Sequence, residues 1–204
     1  MDAPVKLMPR KDPFRILVSA VLSTRTQDPV TAAASARLFR RAPDARALSR
    51  LHPAAIEKLI YPVGFYRTKA GLLPKLARML VARPDGKVPR TLAELLELPG
   101  VGRKVANIVL SQGYGLPAIA VDTHVQRISN RLDLVRTARP VDTERGLMET
   151  LPRHIWKDWN HLLVALGQTI CRPRMPLCSI CPLTRLCPKR GVAQTGQTKV
   201  EARS

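Results

Sequence analysis

Apolar residues along this chain recur mostly at helical spacing. The first clear amphipathic pattern runs from Phe14 to Leu22, and a second follows Pro53, which suits the first position of a helix. A later segment places apolar side chains on one helical face; they are Trp156, Trp159, Leu162, Leu163 and Leu166. No segment alternates convincingly with a period of two, so the pattern predicts an all-α fold.

Glycine and proline interrupt the helical pattern in the middle of the chain. Thr91 is expected to cap a short helix, which ends at Pro99-Gly100-Val101-Gly102 before a new helical pattern begins at Arg103. This order predicts a helix, a tight hairpin and a second helix. We expect the two glycines of the hairpin to allow a positive-φ turn and a close approach of the backbone to a ligand.

The charge of the chain adds a partner to this picture. The 204 residues contain 34 Lys and Arg against 15 Asp and Glu, a net charge of +19, spread from Lys6 to Lys199. A polyanion is the expected partner, although charge does not distinguish DNA from RNA. Aromatic residues make up 4% of the chain, too few for a platform that stacks single-stranded bases, so binding to a duplex is favoured.

The sequence has no membrane or secretion signal. No apolar run approaches the roughly 20 residues that span a bilayer, and the first residues lack the apolar stretch of a signal peptide. We therefore expect a cytoplasmic monomer with no membrane partner.

All four cysteines lie within 17 residues, with the spacing Cys171-x6-Cys178-x2-Cys181-x5-Cys187. Such clustering indicates a metal site. Disulfides are disfavoured in a reducing compartment, whereas zinc and an iron–sulfur cluster both remain open from the spacing alone. Basic residues around this loop indicate a surface that faces phosphates; they are Arg172, Arg174, Arg185, Lys189 and Arg190.

Lys104 and Asp122, which both follow the hairpin in sequence, are candidates for catalysis. A lysine that attacks a sugar carbon must be neutral, and both Arg103 and the positive end of the new helix disfavour a further cation at Lys104. Lys104 is thus either a covalent nucleophile or a lysine that binds phosphate. Asp122 precedes the next helix, so it is either only a helix cap or also an ionised carboxylate that stabilises a cationic sugar.

Three segments together resemble the endonuclease III family of the helix-hairpin-helix DNA glycosylase superfamily. They are LPGVGRKVANIVL at 98–110, AVDTHVQRISNRL at 120–132, and the cysteine loop. FRILVSAVLSTRTQD at 14–28 and VGFYRTKA at 63–70 extend the resemblance over most of the chain. The resemblance implies two helical modules with the active site in the cleft between them. Residues 6–116 would form a six-helix module with the hairpin, 117–190 with the extreme N-terminus an iron–sulfur module, and 191–204 a mobile tail.

The same resemblance implies a bifunctional DNA glycosylase and abasic-site lyase of base excision repair, at a bacterial-type nucleoid. Lys104 would form a Schiff base, Asp122 would be the catalytic carboxylate, and the four cysteines would hold a [4Fe–4S] cluster rather than zinc. The expected partner is double-stranded DNA with a flipped, damaged base or an abasic site, and the expected substrates are oxidised pyrimidines such as thymine glycol, with nicking by β-elimination. DNA contacts are expected from Gly100, Val101, Gly102, Arg103 and His124.

Two positions depart from the family pattern. Arg25 stands where the family often has a glutamine that fills the gap left by the flipped base, and Phe65 stands at the position of a leucine-like wedge. Both side chains can enter DNA, but their fit to the orphaned base will differ. A weakly active or non-catalytic DNA-damage-binding protein is therefore an alternative. A mismatch thymine or uracil glycosylase is another alternative, because one sequence does not identify the pocket residues that choose the base. We also expect the N-terminal helix common in relatives to be missing or reduced.

Overall fold

The computed structural model describes residues 12–196, which contain ten α-helices and no β-strand. The prediction of an all-α fold is therefore confirmed. These residues divide into two compact units, 12–118 and 119–196. No helix in the described part of the chain is long and apolar enough to cross a membrane. Two predictions concern the extreme N-terminus: that it joins the iron–sulfur module, and that its helix is missing or reduced. Both fall outside the described residues.

Seven α-helices form the first unit. They are α1 (Pro13–Ser23), α2 (Asp28–Arg41), α3 (Ala45–Ser49), α4 (Pro53–Ile60), α5 (Tyr66–Ala82), α6 (Leu92–Leu96) and α7 (Arg103–Ile108). A π-helical segment, Val109–Gly113, follows α7 directly.

Helix α1 lies at the centre of this unit. The side chain of Asp12 caps it by accepting hydrogen bonds from the backbone N–H groups of Phe14 and Arg15, at 3.0 and 3.2 Å. The predicted amphipathic pattern understates its burial, because every residue from 16 to 22 is buried. Its polar member, Ser19, donates a hydrogen bond to the hydroxyl of Ser35 on α2 at 3.2 Å, so its burial leaves no unmet donor.

The second unit contains α8 (Thr123–Arg131), α9 (Pro140–Thr150) and α10 (Trp156–Thr169), followed by the cysteine loop with one short 3-10 turn, Cys178–Ile180. Trp156, Trp159, Leu163 and Leu166 of α10 pack on the core of this unit. The prediction was wrong for Leu162, which is 53% exposed, because it stands at the edge of the apolar face, about 100° around the helix from the buried Leu163.

The predicted tail begins inside the described region. The backbone N–H of Gly196 donates to the carbonyl of Pro176 at 3.0 Å, so residues up to 196 contact the cysteine loop. The rest of the predicted tail, from residue 197, lies outside the described residues.

Candidate functional site

The predicted hairpin lies between α6 and α7. Thr91 caps α6 by accepting a hydrogen bond from the backbone N–H of Glu94, as predicted for a capped helix before the hairpin. Gly100 has a φ of +80°, and a Cβ there would lie 3.2 Å from Leu72, so the turn requires glycine. Gly102 has an ordinary φ of −94°, and no atom within 4 Å would obstruct a side chain. The expectation of a positive-φ turn is thus correct for Gly100 and wrong for Gly102, which instead leaves open space beside the backbone.

Lys104 lies at the second position of α7. Its side chain is half-buried, whereas Gly102 and Arg103 before it are exposed and Val101 is buried. The π-helical segment at the end of α7 is stabilised by Ser111, whose hydroxyl donates to the carbonyl of Asn107 at 2.7 Å. Such segments widen a helix locally and occur often at functional sites. The hairpin therefore presents Lys104 on a helix that has a short regular start and an irregular end.

Asp122 caps α8. Its Oδ1 accepts hydrogen bonds from the backbone N–H groups of His124 and Val125, both at 2.9 Å, so capping uses one carboxylate oxygen. The backbone segment that leads to Asp122 is held by Asn160. This side chain is 9% exposed and donates to the carbonyl of Ala120 at 2.8 Å. Sequence reasoning missed Asn160, since one asparagine on a helix gives no distinctive signal.

His124 faces α10 within its own unit. A Cβ on Gly167 would overlap Nδ1 of the His124 ring, so the ring lies directly on the backbone of α10. The guanidinium of Arg127 is 3.1 Å from the same Nδ1. This packing fixes the position of the His124 ring close to the first turn of α8.

Arg25 and Phe65 share two unusual features. Both are exposed, Phe65 by 64%, and both adopt left-handed backbone conformations, with φ of 53° and 56°. Left-handed conformations are rare for residues other than glycine and cluster at functional positions. The Arg25 guanidinium carbon lies 6.0 Å from the centre of the Phe65 ring, so the structure brings these two predicted DNA contacts together.

The four cysteines line one pocket of the second unit, together with Ile170, Leu177, Val192 and other residues of the loop. None of them is exposed or fully buried. Burial raises the pKa of the Cys178 thiol, and Lys189 opposes this shift. Within residues 12–196, no three or more His, Cys, Asp or Glu side chains are close enough to hold a single metal ion. The four thiols therefore share the lining of one common pocket.

Arg131 connects α8 to the cysteine loop. Its side chain is 8% exposed and donates to the carbonyls of Arg172 and Pro173 at 2.7 and 2.8 Å, and to Sγ of Cys171 at 3.3 Å. Its own carbonyl accepts from the backbone N–H of Arg190 at 3.2 Å. The guanidinium of Arg131 thus fixes the first end of the loop, and its backbone carbonyl contacts the second end.

Arg127, one turn before Arg131, contacts the same loop. It donates to the carbonyl of Cys171 at 2.8 Å, and burial, followed by the neighbouring charge of Arg131, lowers its pKa. Sequence reasoning missed both arginines. Their spacing of four residues, which places them on one helical face, was the available signal.

The comparisons with known proteins agree with this geometry. The family model described as the HhH-GPD superfamily of base excision DNA repair proteins matches residues 18–153. The fold and the hairpin thus define a base excision DNA repair protein of the HhH-GPD superfamily.

Individual relatives narrow the class. The chain is 47% identical to Endonuclease III of Thermotoga maritima over 187 residues, which are 90% of this chain and 88% of that protein. It is 38% identical to the protein in a solved structure of a trapped Endonuclease III–DNA covalent intermediate, with a TM-score of 0.84 and coverage of 92% and 88%. A thermostable thymine-DNA glycosylase structure is 26% identical, with a TM-score of 0.79 and coverage of 93% and 88%. The chain therefore belongs to the endonuclease III family, whose members are base excision repair DNA glycosylases and lyases.

Proposed function

We propose that this chain removes oxidised pyrimidines, of the thymine glycol type, from double-stranded DNA and then cleaves the strand at the abasic site. The observation that carries this proposal is the position of Lys104 behind the hairpin, in a chain similar to a protein trapped covalently on DNA. Because the proposed substrate is double-stranded DNA, we infer that the protein acts at the nucleoid in the cytoplasm.

Lys104 is the proposed nucleophile. Its Nζ attacks C1′ of the flipped nucleotide, the bond from C1′ to the base breaks, and the base leaves with a proton. The C1′–O4′ bond then breaks as the amine gives up a proton to O4′, which opens the sugar ring and leaves a Schiff base between Nζ and C1′. The Schiff base makes the C2′ proton acidic, its removal breaks the bond from C3′ to oxygen, and water then releases the sugar from Lys104. A free oxygen of the Asp122 carboxylate stabilises the positive charge that develops on the sugar.

The other predicted site residues contact DNA without forming bonds to the reacting atoms. The open backbone at Gly102, with Gly100, Val101 and Arg103, supports binding of a phosphate at the hairpin. His124 follows Asp122 on the first turn of α8 and is proposed to contact the DNA backbone. The exposed pair of Arg25 and Phe65 supports a role at the base left without a partner.

We infer that Cys171, Cys178, Cys181 and Cys187 hold a [4Fe–4S] cluster. The four thiols line one pocket with apolar neighbours, which supports a single group held by all four. The resemblance to the endonuclease III family favours an iron–sulfur cluster over zinc for that group. When bound, the cluster supplies a covalent cross-link of the loop and takes no part in the bond changes of the substrate. The exposed Arg174 and Arg185 then face phosphates from a fixed loop. Iron and sulfide content of the purified protein tests this assignment against zinc.

Borohydride trapping tests the proposed chemistry. Sodium borohydride reduces a Schiff base to a stable amine, so the native protein should form an adduct with duplex DNA that contains thymine glycol or an abasic site. Lys104→Ala should lose the adduct, whereas Lys58→Ala, which changes an exposed lysine of α4, should retain it.

Three outcomes would change the proposal. An adduct that persists in Lys104→Ala would assign the nucleophile elsewhere. Release of thymine or uracil from mismatches, with thymine glycol left intact, would favour the mismatch glycosylase. Tight DNA binding without an adduct on any substrate would leave a DNA-damage-binding protein.

A further inference from the structure

Lys69 is a buried lysine whose hydrogen-bond acceptors are all neutral. It is 5% exposed, and its ammonium donates to the carbonyls of Leu22 and Thr24 at 2.9 and 2.6 Å and lies 3.5 Å from the hydroxyl of Thr26. Burial lowers the pKa of Lys69 to about 8, so the amine is still mostly protonated at neutral pH and has three donors for three acceptors. Burial of a charge without a carboxylate is costly and calls for a reason.

The three acceptors belong to one short segment that ends α1. Leu22 lies in the last turn of the helix, and Thr24 and Thr26 stand on either side of Arg25. Lys69 itself lies in the first turn of α5, four residues after Phe65. A single side chain therefore joins the segment that carries Arg25 to the helix start that carries Phe65.

Thr26 closes a second link between the same segments. Its hydroxyl accepts a hydrogen bond from the backbone N–H of Gly64 at 3.1 Å and donates to the carbonyl of Thr24 at 3.2 Å. A Cβ on Gly64 would overlap the carbonyl oxygen of Arg25, so the two backbones are in contact there and the contact requires glycine. The residues before Phe65 and those around Arg25 are thus directly connected to each other.

This connection explains how two exposed residues maintain left-handed backbones. Neither Arg25 nor Phe65 has the freedom of glycine, and such conformations persist where the surrounding structure determines them several times over. The Lys69 ammonium, the Thr26 hydroxyl that it contacts and the backbone contact at Gly64 together restrain the pair.

We propose that Lys69 is a positioning residue, which ties the end of α1 to the start of α5 and so holds Arg25 and Phe65 in the relative placement with which they enter DNA. The proposal rests on the proposed function only for the role of that pair at the orphaned base. Lys69 itself touches no DNA, because its ammonium is enclosed by protein oxygens. Arg25 and Phe65 act as one pre-formed element rather than as two separate side chains.

The test compares Lys69→Met with Lys75→Met. Methionine keeps the length of the side chain and removes the donors, and Lys75 is an exposed lysine of the same helix. The DNA probe is a duplex with 2-aminopurine opposite a tetrahydrofuran abasic analogue, whose fluorescence reports groups inserted beside the orphaned base without any turnover. We expect Lys69→Met to lose most of the fluorescence change and to remove thymine glycol roughly 10- to 100-fold more slowly, while Lys75→Met matches the native protein.

A second pair of variants separates positioning from folding. Thr26→Val removes the hydroxyl at almost constant volume, whereas Thr26→Ser keeps it. We expect Thr26→Val to reduce the fluorescence change and the rate of base removal, though by less than Lys69→Met, and Thr26→Ser to match the native protein in both. This pair decides the question if Lys69→Met does not fold.

Hydrogen exchange of the free protein gives a reading that does not depend on DNA. We expect faster exchange at residues 23–26 and 64–66 in Lys69→Met, with native protection elsewhere in α1 and α5. A folded Lys69→Met with native fluorescence response and native base removal would overturn the positioning role, as would equal behaviour of Thr26→Val and Thr26→Ser. If the native protein itself fails to act on DNA, the proposed function fails, while hydrogen exchange still reports whether Lys69 connects the two segments.

Discussion

The two units of this protein are stabilised in different ways. Among the described residues, the core of the first unit contains 27 buried apolar side chains, and the core of the second contains seven. Both units also contain a buried cation that donates to backbone carbonyls, Lys69 in the first and Arg131 in the second. The difference is in what surrounds the cation: a large apolar core around Lys69, and a loop with four thiols around Arg131.

This difference determines what each unit needs in order to keep its site residues in place. Helices α1 and α5 are stabilised by apolar burial, so the proposed role of Lys69 is limited to the relative placement of two exposed residues, Arg25 and Phe65. The cysteine loop contributes few buried apolar side chains, and its path depends on Arg131, Arg127 and whatever the thiols bind. We therefore expect metal loss to unfold the second unit selectively.

The largest expected effect follows from removal of one proposed cluster ligand. Cys187→Ser should lower the bound iron and unfold much of residues 119–196, because a structural metal site contributes a large share of the folding free energy of a small domain. Both tryptophans of the chain, Trp156 and Trp159, lie in this unit, so their emission should shift towards that of the unfolded protein. Hydrogen exchange should remain slow in α1 and α5.

Ser179→Ala is the matched control for this experiment, because it changes an exposed residue of the same loop. It should retain iron and native tryptophan emission. Native emission and full protection of α8 and α10 in Cys187→Ser would contradict the expected dependence of this unit on the proposed cluster.

A smaller effect is expected when Arg131 is replaced. Arg131→Met keeps the apolar stem but leaves the carbonyls of Arg172 and Pro173 without their donor, which should lower the free energy of unfolding by about 1–3 kcal/mol. Denaturant unfolding followed by tryptophan emission measures this loss, and the release of iron to a chelator should be faster. Arg145→Met, at an exposed position of α9, should change neither quantity. Equal behaviour of the two variants would show that the loop does not depend on Arg131.

The sequence predicted the fold class and the family because both depend on local patterns. Helical spacing, the hairpin glycines and the spaced cysteines are all visible in short segments. Helix α2 was not predicted, since its alanine-rich segment has a weak apolar period, and the complete burial of α1 depends on helices distant in sequence. Gly102 shows the same limit, because its ordinary φ follows from the exit of the turn and not from the residue type.

The residues that position the candidate site were harder to predict than the residues that belong to it. Lys104, Asp122 and the cysteines stand in recognisable motifs, and their roles stay predictions until they are tested. Lys69 and Arg131 appear as ordinary basic residues in a chain with 34 of them. Their acceptors are carbonyls at least 41 positions away in sequence, which no pattern of residue types reveals.

The smallest expected effect concerns the pH dependence of stability and compares Lys69 with an exposed lysine. Burial lowers the pKa of Lys69 from 10.5 to about 8, so between these values the unfolded chain holds a proton that the folded chain has released. The free energy of unfolding of the native protein, relative to Lys69→Met, should therefore rise with pH through this window and be flat below it. The rise should be smaller than the shift from 10.5 to about 8 alone would give, because that shift reflects burial, whereas the carbonyls at 2.9 and 2.6 Å favour the protonated amine. Denaturant unfolding followed by circular dichroism measures the difference, and Lys75→Met should differ from the native protein by a constant amount. A fall through the window would show that the hydrogen bonds of the ammonium outweigh its burial, and that Lys69 stabilises the first unit as a cation.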